Sequence, residues 1–291
     1  MKKVVIILLM LFVTRSYSQD EYTHNYYWNF QDNSKAIVGF TTCYVRESPN
    51  INSVILDSLQ LGSEVMVKKT SDTFYKFKGI NLPWVEIEYK NKAGETKVGC
   101  VWKGLLALNY VKNGSLTYLT TIDKIEKIKS QEYFNENFFI SAKILDKENQ
   151  LLNQITIKKC LSESSYFENK TIGHLGLSKL KNIYRISFSG ESCGVPTFHY
   201  YFGWNGNKLL LLPEKMNVGD ADVYYHSEEF VFPSEKGGKP DLIIMKIEEV
   251  ELIEETKGIY NMSEREEYYK WNGEKAILYK KSKLKKSKKK L

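Results

Sequence analysis

The chain has 291 residues and a formal net charge of +7, and tyrosine is abundant, at 20 positions. That length suits one large or two modest domains. Lys2, Lys3 and Arg15 in a short leader hold three of the excess charges, which leaves +4, and eight lysines between Lys280 and Lys290 leave the body, residues 19–279, at −4. A claim of nucleic-acid binding from the basic balance would therefore rest on the tail alone, and no nucleic-acid partner is expected.

The first 18 residues read as a cleavable signal peptide. Lys2 and Lys3 start it, residues 4–13 are an unbroken apolar run, and Ser16-Tyr17-Ser18 offers small residues two apart. Gln19 is then the expected mature N-terminus. Ten apolar residues are too few to span a bilayer, which takes roughly 20. No other stretch is apolar enough, so no transmembrane anchor is expected and the protein is expected to be exported, periplasmic or secreted.

Residues 38–110 read as short strands separated by turns. Residues 38–46 are extended and stop at Ser48-Pro49-Asn50; residues 54–61 follow and end at Gly62. Val65 and Val67 alternate with Glu64, Met66 and Lys68, as do Val85, Ile87 and Tyr89 with Glu86 and Glu88, the period of a half-buried strand. Strands at this spacing predict a small barrel.

Val45-Arg46-Glu47-Ser48-Pro49, Val54-Ile55, Leu59, Gly62, Val65, Trp84-Val85-Glu86-Ile87 and Gly99-Cys100-Val101-Trp102, in that order, resemble a bacterial SH3-like domain. The chain departs from that pattern at Tyr44, where Asn is usual, at Cys100, and in an insertion over residues 70–82. The resemblance implies targeting of a peptide or cell-wall fragment. It gives Trp84 as the expected ligand-binding residue on a shallow aromatic groove, with Tyr44 and Trp102 as neighbours; ordinary barrel packing is the other reading of both tryptophans.

Residues 111–137 read as a linker. Ile122, Ile125 and Ile128 at spacing three predict one amphipathic helix, capped by Thr120 or Thr121. Residues 138–279 read as a second, β-rich meander or sandwich-like domain. It holds an internal near-repeat: Tyr200-Tyr201-Phe202-Gly203-Trp204-Asn205-Gly206 and Tyr268-Tyr269-Lys270-Trp271-Asn272-Gly273. Each Asn-Gly predicts a type I′ hairpin. The lysine-rich tail, residues 280–291, is expected to be disordered by self-repulsion and is a candidate arm for an anionic envelope surface.

Four cysteines, Cys43, Cys100, Cys160 and Cys193, allow three pairings. In an oxidising compartment Cys43–Cys100 and Cys160–Cys193 would each stay within one domain, with buried free thiols as the alternative. The first pair has a difficulty: if Val45 and Val101 both face the core, Cys43 points inward and Cys100 outward.

Motifs for catalysis are scarce. There is no Gly-x-Ser-x-Gly elbow, no His-Glu-x-x-His and no phosphate-cradling loop. A Cys–His nucleophile pair can be imagined from Cys193 and His199, but it needs a free, activated thiolate. Asp220, Asp222, His226, Glu228 and Glu229 form the best polar cluster, read chiefly as a solvated acidic loop. Neither a cofactor nor a metal is expected. The expectation is a mainly β, non-catalytic cell-envelope binding protein. The alternatives are an enzyme with its site in the C-terminal domain, or an SH3-like unit that only supports that domain.

Overall fold

The computed structural model describes residues 23–128, 135–161 and 164–290. The signal segment and its cleavage point after Ser18 lie outside these. The fold is almost entirely antiparallel β; the helical pieces among the described residues are three-residue 3-10 turns. No helix there is long and apolar enough to cross a membrane.

The first sheet contains β1 (Ser34–Ile37), β2 (Cys43–Arg46), β3 (Ile55–Leu59), β4 (Glu64–Phe77), β5 (Ile80–Lys90) and β6 (Thr96–Trp102), in the spatial order β1-β4-β5-β6-β2-β3. Val45, Val65, Val67, Val85, Ile87 and Val101 fill its concave side. These are the alternating positions of the sequence, as a period of two requires.

The second sheet is built from β7 (Asn109–Asn113), β8 (Leu116–Ile128), β9 (Asn135–Leu145) and β10 (Leu151–Cys160), in the order β10-β9-β8-β7. It corrects the expected linker and its helix, because residues 121–128 are strand. Ile122 and Ile125 are both buried although three apart, and the register of β8 against β9 shifts between Ile122 and Lys124. A β-bulge adds one residue there. Asp123 sits at the bulge and accepts hydrogen bonds from Thr121 Oγ1 at 2.7 Å and Ser141 Oγ at 2.5 Å.

The third sheet has ten strands. Its main path runs β11 (Tyr166–Gly173), β12 (Asn182–Ser189), β13 (Thr197–Trp204), β15 (Lys215–Asp220), β16 (Tyr224–Val231), β17 (Leu242–Glu254), β18 (Ile259–Trp271) and β19 (Ala276–Lys281). β14 (Leu209–Leu211) pairs with β13, and β20 (Lys285–Lys290) with β18. The near-repeat is therefore two equivalent meanders, β12-β13-β14 and β17-β18-β19. Their turns are not type I′. Positive φ is confined to Gly206 (99°) and Gly273 (89°), while each Asn folds its side chain over the turn. Asn205 Oδ1 accepts from the backbone N–H of Asn207 and Lys208, both at 2.9 Å; Asn272 Oδ1 accepts from Glu274 and Lys275 at 2.9 and 2.8 Å. These are Asx turns.

One core runs through all three sheets. Trp84 and Trp102 of the first, Ile122, Ile140 and Ile144 of the second, and Tyr184, Phe188 and Trp204 of the third pack together. The first sheet thus contributes to this shared core in addition to its own. Residues before β1 plug the same core: Tyr27 and Trp28 are buried, and Trp28 Nε1 donates to the Leu106 carbonyl at 2.9 Å. Gly39 permits the close approach of the first two sheets, since a Cβ there would lie 2.5 Å from Thr121 Cγ2. Trp271, the counterpart of Trp204, anchors a separate core with Tyr201, Phe230, Phe232 and Met245 between the two halves of the third sheet.

Two more expectations are corrected. The tail is not disordered over residues 285–290; it pairs with β18 from Ile259↔Lys290 to Glu264↔Lys285. Alternation along a strand sends successive lysines to opposite faces, which separates like charges. The four cysteines are free thiols. Cys43 belongs to the core of the first sheet, whereas Cys100 packs on the other side, against the shared core. Cys160 ends β10 in the second sheet, and Cys193 lies exposed in the β12–β13 loop.

This arrangement orders thiol reactivity. Burial pushes the Cys43 thiol up to about 12, and reaction needs the thiolate and access. Cys193 should react first with a disulfide reagent, and Cys43 only after unfolding. Four thiols should titrate in denaturant without reductant; a count of two or none would restore the bridges.

Candidate functional site

Trp84 and Trp102 do not line a groove. They are 2% and 5% exposed. They belong to the shared core, and the insertion over residues 70–82 adds to their burial, because it extends β4 and β5 into a hairpin whose aromatics pack on them. Tyr75 lies 6.3 Å from Trp84 and edge-on to Trp102 at 5.9 Å; Phe77 meets Trp102 at 5.9 Å. Trp102 Nε1 donates to the carbonyls of Tyr75 at 2.9 Å and Leu82 at 3.2 Å. The expected ligand groove is therefore filled by the chain itself. Of the three expected site residues only Tyr44 remains at the surface, 48% exposed.

Tyr44 leads to a different feature. β3 is the last strand of its sheet and, among the described residues, pairs only with β2. Val54, Ile55 and Leu56 on and beside it are 63%, 47% and 49% exposed. Ile51 in the preceding turn and Val98 on β6 are also exposed. Leu56 reaches toward β6, its Cδ1 lying 3.4 Å from where a Gly99 Cβ would sit. The turn that presents the strand is held by Arg46, which donates to the Ser53 carbonyl at 2.7 Å, and by the Ser48–Ser53 hydroxyl pair at 2.9 Å.

Natural edge strands are commonly blunted with lysine or proline. β3, Ile-Leu-Asp-Ser-Leu, has neither. Its single charge is Asp57, whose carboxylate helps burial raise the Tyr89 phenol above its usual range. The register of β2 against β3 shifts between Val45 and Arg46, and such bulges often aim side chains at binding edges. Backbone donors and acceptors on the open side, apolar side chains and one central acid are what an extended peptide with a basic residue would need.

The polar candidates are scattered. His199 does not meet Cys193 as a partner; its Nδ1 bonds Ser187 Oγ at 2.7 Å across the β12–β13 pair. Burial, with Lys215, Arg185 and Lys170 nearby, pushes its imidazole down to about 4. That environment opposes the imidazolium a general base must become. Asp220 and Asp222 are exposed at the β15–β16 turn. His226 turns instead to Glu228 at 3.1 Å and Glu249 at 3.8 Å. Among the described residues no three His, Cys, Asp or Glu side chains converge as a metal site.

The fold and this edge define a mainly β protein with an open apolar strand. No known protein family and no curated protein matches the chain.

Proposed function

We propose that the protein is a non-catalytic, exported binding protein of the cell envelope that holds an extended peptide, or the peptide part of a cell-wall fragment, along the open edge of β3. The observation that carries this reading is the exposed Val54-Ile55-Leu56 run on a strand whose outer side has no strand partner among the described residues. Tyr44 supplies a rigid aromatic contact beside it, and Asp57 favours a ligand with a lysine or arginine. The signal-like leader supplies the export half of the reading.

The test is binding of labelled peptides that alternate apolar and basic residues, read by fluorescence anisotropy. Ile55→Lys with Leu56→Lys should abolish capture, since charges on an edge block strand addition. Tyr44→Ala should cost about 1–2 kcal/mol of affinity. Both variants should melt like the parent, because all three side chains are exposed. Undiminished capture by the double-lysine variant would reject the edge as the site. A concentration-dependent dimer dissolved by the same changes would assign the edge to a second copy.

A further inference from the structure

The far edge of the third sheet carries a different kind of surface. β19 and β20 both lie along the outer side of β18, so all eight lysines from Lys280 to Lys290 fall on one sheet edge. Three of them are engaged by the protein. Lys280 Nζ lies 5.3 Å over the Tyr268 ring, Lys281 Nζ pairs with Glu267 at 2.6 Å, and Lys285 borders a hollow with Glu248, Glu264 and Glu266. The register gives the rest no acidic partner on β18; the acids in line with Lys286, Lys288 and Lys290, namely Glu249, Glu251 and Glu254, lie one strand further in, on β17. Lys286, Lys288, Lys289 and Lys290 stand opposite Ser263, Asn261, Tyr260 and Ile259, none of them acidic. Among the described residues these four and Lys283 make no ion pair.

The same edge is also apolar. Ile277, Leu278, Tyr279 and Leu284 are 53%, 40%, 56% and 46% exposed, and they run directly into the lysines. A soluble polyanion would satisfy the lysines and leave these side chains in water. A lipid surface uses both: headgroups take the charge, and apolar side chains and the tyrosine enter the interfacial region. Lysine stems can lie along that boundary with their ammonium groups outward. Edge protection alone accounts for some lysines, but not for exposed isoleucine, leucine and tyrosine among them.

We propose that the β19–β20 edge is a docking surface for an anionic lipid bilayer. It is separate from the β3 edge and does not depend on peptide binding there. The ordered strand sends Lys286, Lys288 and Lys290 to one face at intervals of about 7 Å, together with Leu278, and Lys289 to the other, together with Ile277, so the surface that meets lipid is the edge itself.

The experiment uses protein beginning at Gln19, so that the apolar run of the leader cannot itself enter lipid. Co-sedimentation is measured with phosphatidylcholine vesicles with and without phosphatidylglycerol, and binding to soluble polyphosphate is measured in parallel. The unmodified protein should bind only the anionic vesicles. Binding should fall at least tenfold between about 0.1 M and 1 M salt, where the screening length shrinks from about 10 Å to 3 Å. Each headgroup-facing lysine is worth about fivefold, so Lys286→Gln, Lys288→Gln, Lys289→Gln and Lys290→Gln together should weaken binding by about a hundredfold or more. Ile277→Ser with Tyr279→Ser should weaken vesicle binding about tenfold and leave polyphosphate binding unchanged. Unchanged vesicle binding by the four-glutamine protein would overturn the proposal. Polyphosphate binding as tight as vesicle binding, with no effect of the serine pair, would overturn it in favour of a soluble polyanion. Aggregation of the four-glutamine protein with vesicle binding retained would leave the lysines as edge guards only, which also overturns it. The salt dependence of the unmodified protein tests the need for charge without requiring any variant to fold; binding that does not weaken with salt would overturn the proposal by itself.

Discussion

Trp84→Ala should destabilise the protein by about 3–5 kcal/mol, the usual cost of truncating a buried tryptophan, while peptide capture at β3 persists in the folded fraction. The indole is 2% exposed and belongs to the core shared by three sheets. It is covered by Tyr75 and sits on β5 directly opposite Trp102 of β6. Removing it leaves a void bounded by strands tied into two ladders, which cannot easily collapse. Tyr44 is the contrast: same sheet, 48% exposed, and expected to affect binding with little change in stability. Urea unfolding of both alanine variants, with anisotropy on the same samples, separates the two roles. A Trp84→Ala protein that loses less than about 1 kcal/mol, or that stays folded yet cannot bind peptide, would contradict this division.

Strands β2, β3, β5 and β6 of the first sheet and both aromatic meanders are legible in the sequence because their alternation and turn residues agree locally with the fold. The burial of Trp84 is one of the two readings the sequence allows, but what covers it is not legible, because its environment depends on a residue run that resembles an insertion. Nothing in residues 70–82 states that Tyr75 and Phe77 return over the tryptophans; that follows from the pairing of β4 with β5. The expected helix fails for a sharper reason. A spacing of three between Ile122 and Ile125 is produced equally by a helical turn or by a strand with one bulged residue, and hydrophobic periodicity alone does not distinguish them. The Thr117-x-x-Thr120-Thr121 run before it, rich in β-branched residues, is the cue for strand. The β3 edge has a signal as well. In Val54-Ile55-Leu56, three consecutive apolar residues cannot all face one core from a strand, so at least one has to be exposed or to meet a partner. The lysine strand has none, since composition speaks for self-repulsion and the open side of β18 is visible only in three dimensions.

Acid should destabilise the protein through His199. Its ring is partly buried on β13, bonded to Ser187 of β12, and faces Lys170 on β11, Arg185 on β12 and Lys215 on β15. Burial is the largest cause of its lowered pKa, followed by Lys215, Arg185 and Lys170. The unfolded imidazole takes up a proton near 6.5, the folded one only near about 4. Between those values the unfolded state holds more protons, so stability falls as pH drops through that window and is fully retained above it. The full difference corresponds to roughly 3 kcal/mol, and partial exposure reduces it to roughly 2 kcal/mol. Acid acts on many groups at once, so the informative quantity is the difference between the parent and His199→Gln. Glutamine can keep a hydrogen bond to Ser187 and carries no proton-dependent charge. The parent should lose roughly 2 kcal/mol more than the variant on going from pH 7 to pH 4, measured by urea unfolding at each pH. Parallel pH profiles for the two proteins would show that the cations around His199 do not oppose its protonation.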